Sequence, residues 1–194
     1  GTRDSGYGRS LIESFSEISK DLKIQVSTMP GKVDLPGYRL VKHSECEDYN
    51  HDRKQVHLMG LLKNVTNNTS TTVAGKNSFI LTEYDLYDDG LNWCFGAVVP
   101  DINGGSHLVM STYRLENPKT VAHVATHEFG HMFGAAKSGR RNTEENLGSH
   151  CTNLCIMQQK LSVSEMIIHS RQLANRQNKF CNECGYELRA YRDV

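Results

Sequence analysis

Leu11, Ile12, Phe15, Ile18 and Leu22 recur at helical spacing along GRSLIESFSEISKDL, and the pattern predicts an amphipathic helix over residues 8–21. Apolar and polar positions then alternate in KIQVST, as in a strand. The Pro- and Gly-containing MPGKVDLPG reads as the loop that follows, with a second strand over residues 38–41. NHDRKQVHLMGLLKNV opens on Asn and Asp cap candidates and spaces Val56, Leu58, Met59, Leu61 and Leu62 helically, which predicts a second helix. The polar TNNTSTTVAGKN reads as a loop. Asn64, Asn67 and Asn68 stand in sequon-like contexts that matter only in a secreted protein.

From residue 78 to 115 the pattern turns β-rich. SFILTEY, NWCFGAVV and HLVMSTYRL read as strands of one small sheet, separated by the turns DLYDDG and DINGG. Helical period returns with Val121, Val124, Ala125, Phe129 and Met132, with Pro118 in the first turn and Gly134 at the exit. Ser162 and Glu165 form a capping-box pair at the head of a last helix running to about Asn178. No repeat or low-complexity linker divides the chain.

Composition narrows the class. At 194 residues the chain suits one domain able to enclose a cleft without disulfides. The 22 basic and 22 acidic residues balance, so no overall field points to nucleic acid or an anionic membrane. No apolar run reaches the roughly 18–20 residues of a membrane span, and GTRDSGYGRS lacks the apolar stretch of a signal peptide. The expectation is a soluble, cytoplasmic monomer.

The candidate chemistry centres on HEFGH. His127 and His131, four apart on a helix, project from one face and can converge on one ion. Glu128 lies beside them, placed to take a proton from a zinc-activated water and return it to a leaving amine. His123 continues the row one turn earlier, but the outer two histidines of such a row lie about 12 Å apart along the axis. It therefore reads as a packed neighbour. In metzincin peptidases this motif resembles HExxHxxGxxH, and the chain follows it through Gly134; Lys137 then stands where the third histidine is expected, and an ammonium is no zinc ligand. A second group, Cys151, Cys155, Cys181 and Cys184, has short-spaced pairs that suit one closed, structural zinc; two disulfides in an exported protein are the alternative. Cys46 and Cys94 read as buried thiols without function.

ILTEYDLYDDGLNWCFGAVV and STYRL resemble the strand region of the archaemetzincin family, and YNHDRKQVHLMGLL is similar to its Arg-x-Gln-containing helix. Downstream, that family has a His followed by a Cys pair, a Met and a terminal CxxC, here His150, Cys151, Cys155, Met157, Cys181 and Cys184. The resemblance covers about Asn50 to Cys184. It implies an α+β metzincin-like fold in which a small twisted mixed sheet packs on helices, with the active-site helix, a Met-turn and a C-terminal helix bearing a four-cysteine zinc knuckle. Residues 1–134 would form an upper part and 135–194 a lower part of a single metalloprotease domain. It further implies His150 as third ligand, Met157 as Met-turn residue and AAKSGRRNTEENLGS as a solvated insertion at the cleft rim.

Glu144 or Glu145 remains the competing third ligand. The resulting expectation is a metalloendopeptidase or aminopeptidase with two zinc ions per chain, one catalytic and one structural. An edge strand within residues 106–113 would hold peptide by strand addition. A catalytically silent zinc-stabilised module and a zinc amidohydrolase acting on a non-protein substrate are the rival readings.

Overall fold

The computed structural model describes residues 48–68, 77–100 and 105–191. The expected helix over 8–21, the strand in KIQVST and the strand over 38–41 lie outside the described residues. The chain divides into two compact units at Arg114 and Leu115. The class is α+β, with small sheets and four helices among the described residues.

In the unit preceding Leu115, β1 (Tyr49–Asn50) pairs antiparallel with β2 (Gln55–His57), and α1 (Leu58–Asn68) follows at once. The helix expected from Asn50 therefore begins eight residues late. Its first part is a strand because β2 also runs parallel to β4 (Leu86–Asp88), a pairing that no local spacing reveals. Val56 donates its N–H to the Asp85 carbonyl at 2.8 Å. Asn50 caps a turn, accepting the Arg53 N–H at 3.0 Å, and Lys54 closes it at φ 55°. His57 is the cap in its place: its Nδ1 accepts the Gly60 N–H at 3.2 Å.

The single sheet expected is two. One has the order β1-β2-β4-β5, with β5 at Leu91–Cys94; the other has β3 (Ser78–Thr82), β7 (Ser106–Ser111) and β6 (Gly96–Pro100), in that order. The chain changes sheets at Phe95–Gly96, where a Cβ on Gly96 would stand 2.5 Å from the Val109 carbonyl oxygen. β7 is central, parallel to β3 and antiparallel to β6, so the expected edge strand is paired on both sides. Its unbroken buried run Leu108, Val109 and Met110 is the signature of an interior strand. Val56, Leu58, Leu61, Leu62, Leu86 and Val109 form the core, with Cys94 packed against it. A polar clamp crosses this unit: Arg114 binds the buried Asp85 through two bonds of 2.8 and 2.7 Å, Gln55 donates to the same carboxylate at 2.9 Å, and the guanidinium stacks on Trp93.

In the other unit α2 (Pro118–Met132) starts where expected. Asn117 caps it by accepting the Thr120 N–H, and Pro118 occupies the first helical position, where its missing N–H costs nothing. It ends at Phe133, with Gly134 in the left-handed region at φ 76°. The segment expected as a solvated loop contains β8 (Thr143–Glu145), which pairs antiparallel with β9 (Ser149–Cys151). α3 (Val163–Leu173) is capped by Ser162, whose Oγ accepts the Glu165 N–H at 3.2 Å. It stops about five residues short of Asn178, and a separate C-terminal helix, α4 (Asn182–Tyr191), follows and carries Cys184; the apolar spacing does not predict it, with Gly185 inside it. No helix among the described residues is long and apolar enough to cross a membrane.

Candidate metal centre

α2 presents His127 and His131 on one face, and β9 brings His150 to them. One ring nitrogen from each lies within 4.8 Å of the others. His127 Nε2 and His131 Nε2 are 3.1 Å apart. Ring centroids stand 4.7, 5.3 and 4.9 Å apart for the pairs 127–131, 127–150 and 131–150. Tetrahedral zinc with bonds of about 2.0–2.1 Å places its nitrogen ligands roughly 3.4 Å from one another, so the donor set fits with small adjustments. The tautomers fit too. His127 Nδ1 donates to the Ile156 carbonyl at 2.8 Å and His150 Nδ1 to the Gly148 carbonyl at 3.1 Å, leaving each Nε2 lone pair free to point inward. Burial lowers the His127 pKa to about 4, that of His131 well below the ordinary value, and that of His150 in the same direction. All three are neutral at physiological pH, the form that binds metal.

Glu144 and Glu145 are exposed on β8 and stay outside this cluster, although Glu144 stands opposite His150 in the hairpin register. Glu128 is buried at 7% exposure, and desolvation raises its pKa to about 8. Met157 is fully buried against α2, and a Cβ on Gly130 would stand 2.2 Å from its Sδ. The missing side chain at Gly130 is thus what lets Met157 lie against the helix between His127 and His131. Met157 also closes the β9 loop by accepting the Cys151 N–H at 2.9 Å. His123 is a packed neighbour, its Nε2 3.1 Å from His169 Nδ1 on α3.

The four cysteines form the second cluster, with all Sγ atoms within 4.8 Å. Cys151 Sγ and Cys181 Sγ are 3.7 Å apart, close to the roughly 3.8 Å edge of a tetrahedron with Zn–S bonds of about 2.3 Å. Donors reach the sulfurs from several sides: the Cys181 N–H to Cys155 at 3.2 Å, Asn153 Nδ2 to Cys181 at 3.6 Å, Arg140 Nη2 to Cys184 at 3.0 Å, and the Asn153 backbone to Cys151. Burial pushes the Cys151 thiol up to about 12, and the hydrogen bond with Cys155 pushes Cys184 up while Arg140 pulls it down. A cation bound here would displace the thiol protons of its ligands.

A model of peptidase family M54 matches residues 7–190. The chain belongs to that family.

An archaemetzincin from Nanoarchaeum equitans (strain Kin4-M) is 31% identical over 140 residues, which make up 72% of this M54 chain and 66% of that relative, just under two thirds of its length. The crystal structure of archaemetzincin from Methanopyrus kandleri is similar at a TM-score of 0.53 and 25% identity, covering 76% of this chain and 71% of that one. A zinc-dependent peptidase from Methanocorpusculum labreanum shares the fold at a TM-score of 0.58 and 19% identity, over 93% of each chain. The resemblance to archaemetzincins drawn from the motifs is borne out.

The three expected histidines and the four expected cysteines of this M54 chain lie in the two clusters, Glu128 adjoins His127 in the chain, and Met157 packs on α2 at Gly130. Missed were the residues that orient them: Gly148 and Ile156 through their carbonyls, and Arg140 and Glu187 beside the cysteines. Backbone acceptors leave no residue-type signal. Arg140 carried only the signal of one more charge in a polar stretch.

Proposed function

We propose that this chain hydrolyses peptide bonds as a two-zinc metallopeptidase, with His127, His131 and His150 holding the catalytic ion and Cys151, Cys155, Cys181 and Cys184 a structural one. The observation that carries the reading is the convergence of three neutral imidazoles, two of which, His127 and His150, donate Nδ1–H to backbone carbonyls and so keep Nε2 for an ion. It supports His150 over Glu144 and Glu145 as third ligand. Zinc with three protein ligands supplies Lewis acidity and brings a coordinated water to a pKa of about 7. Glu128 is the general base and acid: next to His127 in the chain and buried, it accepts a proton and later delivers it to the departing amine. Met157 serves as the Met-turn residue, a wedge under the ligands. Metal-bound thiols instead of disulfides suit a reducing, cytoplasmic setting.

Glu128→Gln tests the mechanism. The variant is expected to keep both ions by elemental analysis and to lose roughly 10²–10⁴-fold in peptide hydrolysis. Undiminished turnover would refute the role of Glu128. Assaying N-terminally blocked peptides beside free ones separates endopeptidase from aminopeptidase, and small amides cut in preference to both would favour the amidohydrolase reading. Absence of hydrolysis in a fully loaded wild type would favour the silent module.

A further inference from the structure

Arg140 comes from the polar segment 135–149, yet its side chain is only 17% exposed. Nη2 donates to Cys184 Sγ at 3.0 Å and Nη1 to Glu187 Oε2 at 2.9 Å. The same Oε2 accepts the Ala136 N–H at 2.8 Å, so one carboxylate on α4 holds both ends of the turn 136–140. Thr143 Oγ1 donates to the Arg140 carbonyl at 2.8 Å, joining this turn to the start of β8. Four thiolates around a divalent ion leave two negative charges in a buried place. The Cys181 N–H and Asn153 donate to sulfur as neutral groups, whereas Arg140 brings a full positive charge and cannot lose it.

We infer that Arg140 is a positioning residue for the four-cysteine centre: its charge-assisted bond to Cys184 offsets the thiolate charge and slows escape of the ion, while Glu187 fixes the guanidinium. The segment 135–149 thereby does more than connect Gly134 to His150, since it contributes part of the electrostatic environment of the cysteine centre. This rests on the reading that the four cysteines hold zinc. A thiolate stripped of its cationic donor is more basic and more nucleophilic, so attack by a proton or a competing chelator, the first step of ion loss, becomes faster.

The test uses the full chain loaded with zinc and, separately, with cobalt. Zinc transfer to a chromophoric chelator is expected to be about 10–100-fold faster in Arg140→Met than in wild type. Arg140→Lys, which keeps the charge but not the fork, should fall between them and provides the comparison if Arg140→Met does not fold. In the cobalt form the sulfur-to-cobalt charge-transfer band, to which the histidine site contributes nothing, should shift in Arg140→Met. Glu187→Gln leaves the bond to sulfur in place and should shift the band little, whatever it does to thermal stability. A wild type without a cysteine-bound ion would sink the zinc reading and this inference together. A cysteine-bound ion whose release rate and charge-transfer band are unchanged in both Arg140 variants would overturn the role of Arg140 alone.

Discussion

Gly130 sets two opposing local effects against each other. Alanine in its place would gain about 1 kcal/mol of helix propensity. The added Cβ, however, would sit 2.2 Å from Met157 Sδ, 3.0 Å from its Cε and 3.2 Å from Phe180 Cε1. Met157 is flexible but wholly enclosed, and Phe180 is 2% exposed, so neither has empty space to move into. Overpacking should win: Gly130→Ala is expected to lose about 1–3 kcal/mol in urea unfolding while still binding metal. Equal or greater stability would mean that Met157 is not confined as the packing indicates. At this scale the ligand-type residues were legible, because HEFGH and the paired cysteines are chemistry written in residue types at fixed spacing. The fit of Gly130 to Met157 was not, since the two are far apart in sequence and a glycine within a helix gives no sign of what it admits.

Among the elements, α2 was readable from end to end: its cap, first-turn proline, period and terminal glycine all agree. β2 was not, because Val56 and Leu58 satisfy a helical period while the strand pairing that wins comes from Leu86 and Tyr87 some thirty residues away. The β8–β9 hairpin was hidden by its polarity; TEE and SHC show no apolar alternation, and its tip takes Leu147 and Gly148 to φ 52° and 103°. The pairing of α2 with α3 through His123 and His169 has a consequence of its own. Burial lowers their pKa values to about 3 and about 4, so both stay neutral in the folded chain when an unfolded imidazole, with a pKa near 6.5, takes up a proton. The unfolded state then binds more protons than the native one, and stability falls as pH drops through 6.5 towards 4, by up to about 1.4 kcal/mol per pH unit for each imidazole. His169→Gln is expected to flatten the dependence of the urea midpoint between pH 7.5 and 5 by up to one proton. A slope identical to wild type would show that the pair is not held neutral.

For the whole molecule the decisive feature is that two clusters share one strand. β9 carries His150 at its middle and Cys151 at its end, and the Cys151 N–H donates to the carbonyl of Met157, which packs on α2 at Gly130. Disturbance at the cysteines is therefore expected to move His150, whereas loss of the His150 imidazole should leave Cys155, Cys181 and Cys184 in place on the loop before α3 and at the head of α4. The dependence should be one-way. His150→Ala is expected to lose one ion and retain the other. Cys181→Ser, which touches none of the histidines, should release the structural ion and also lower peptide hydrolysis on the order of 10²-fold, the cost of a reacting group misplaced by about 1 Å. Hydrogen exchange locates the cause: amides of residues 143–151 should lose protection in Cys181→Ser, while those of α2 should keep theirs. Full activity with unchanged protection in the hairpin would mean that β9 holds His150 without help from the cysteines, and that the two centres are neighbours without being coupled.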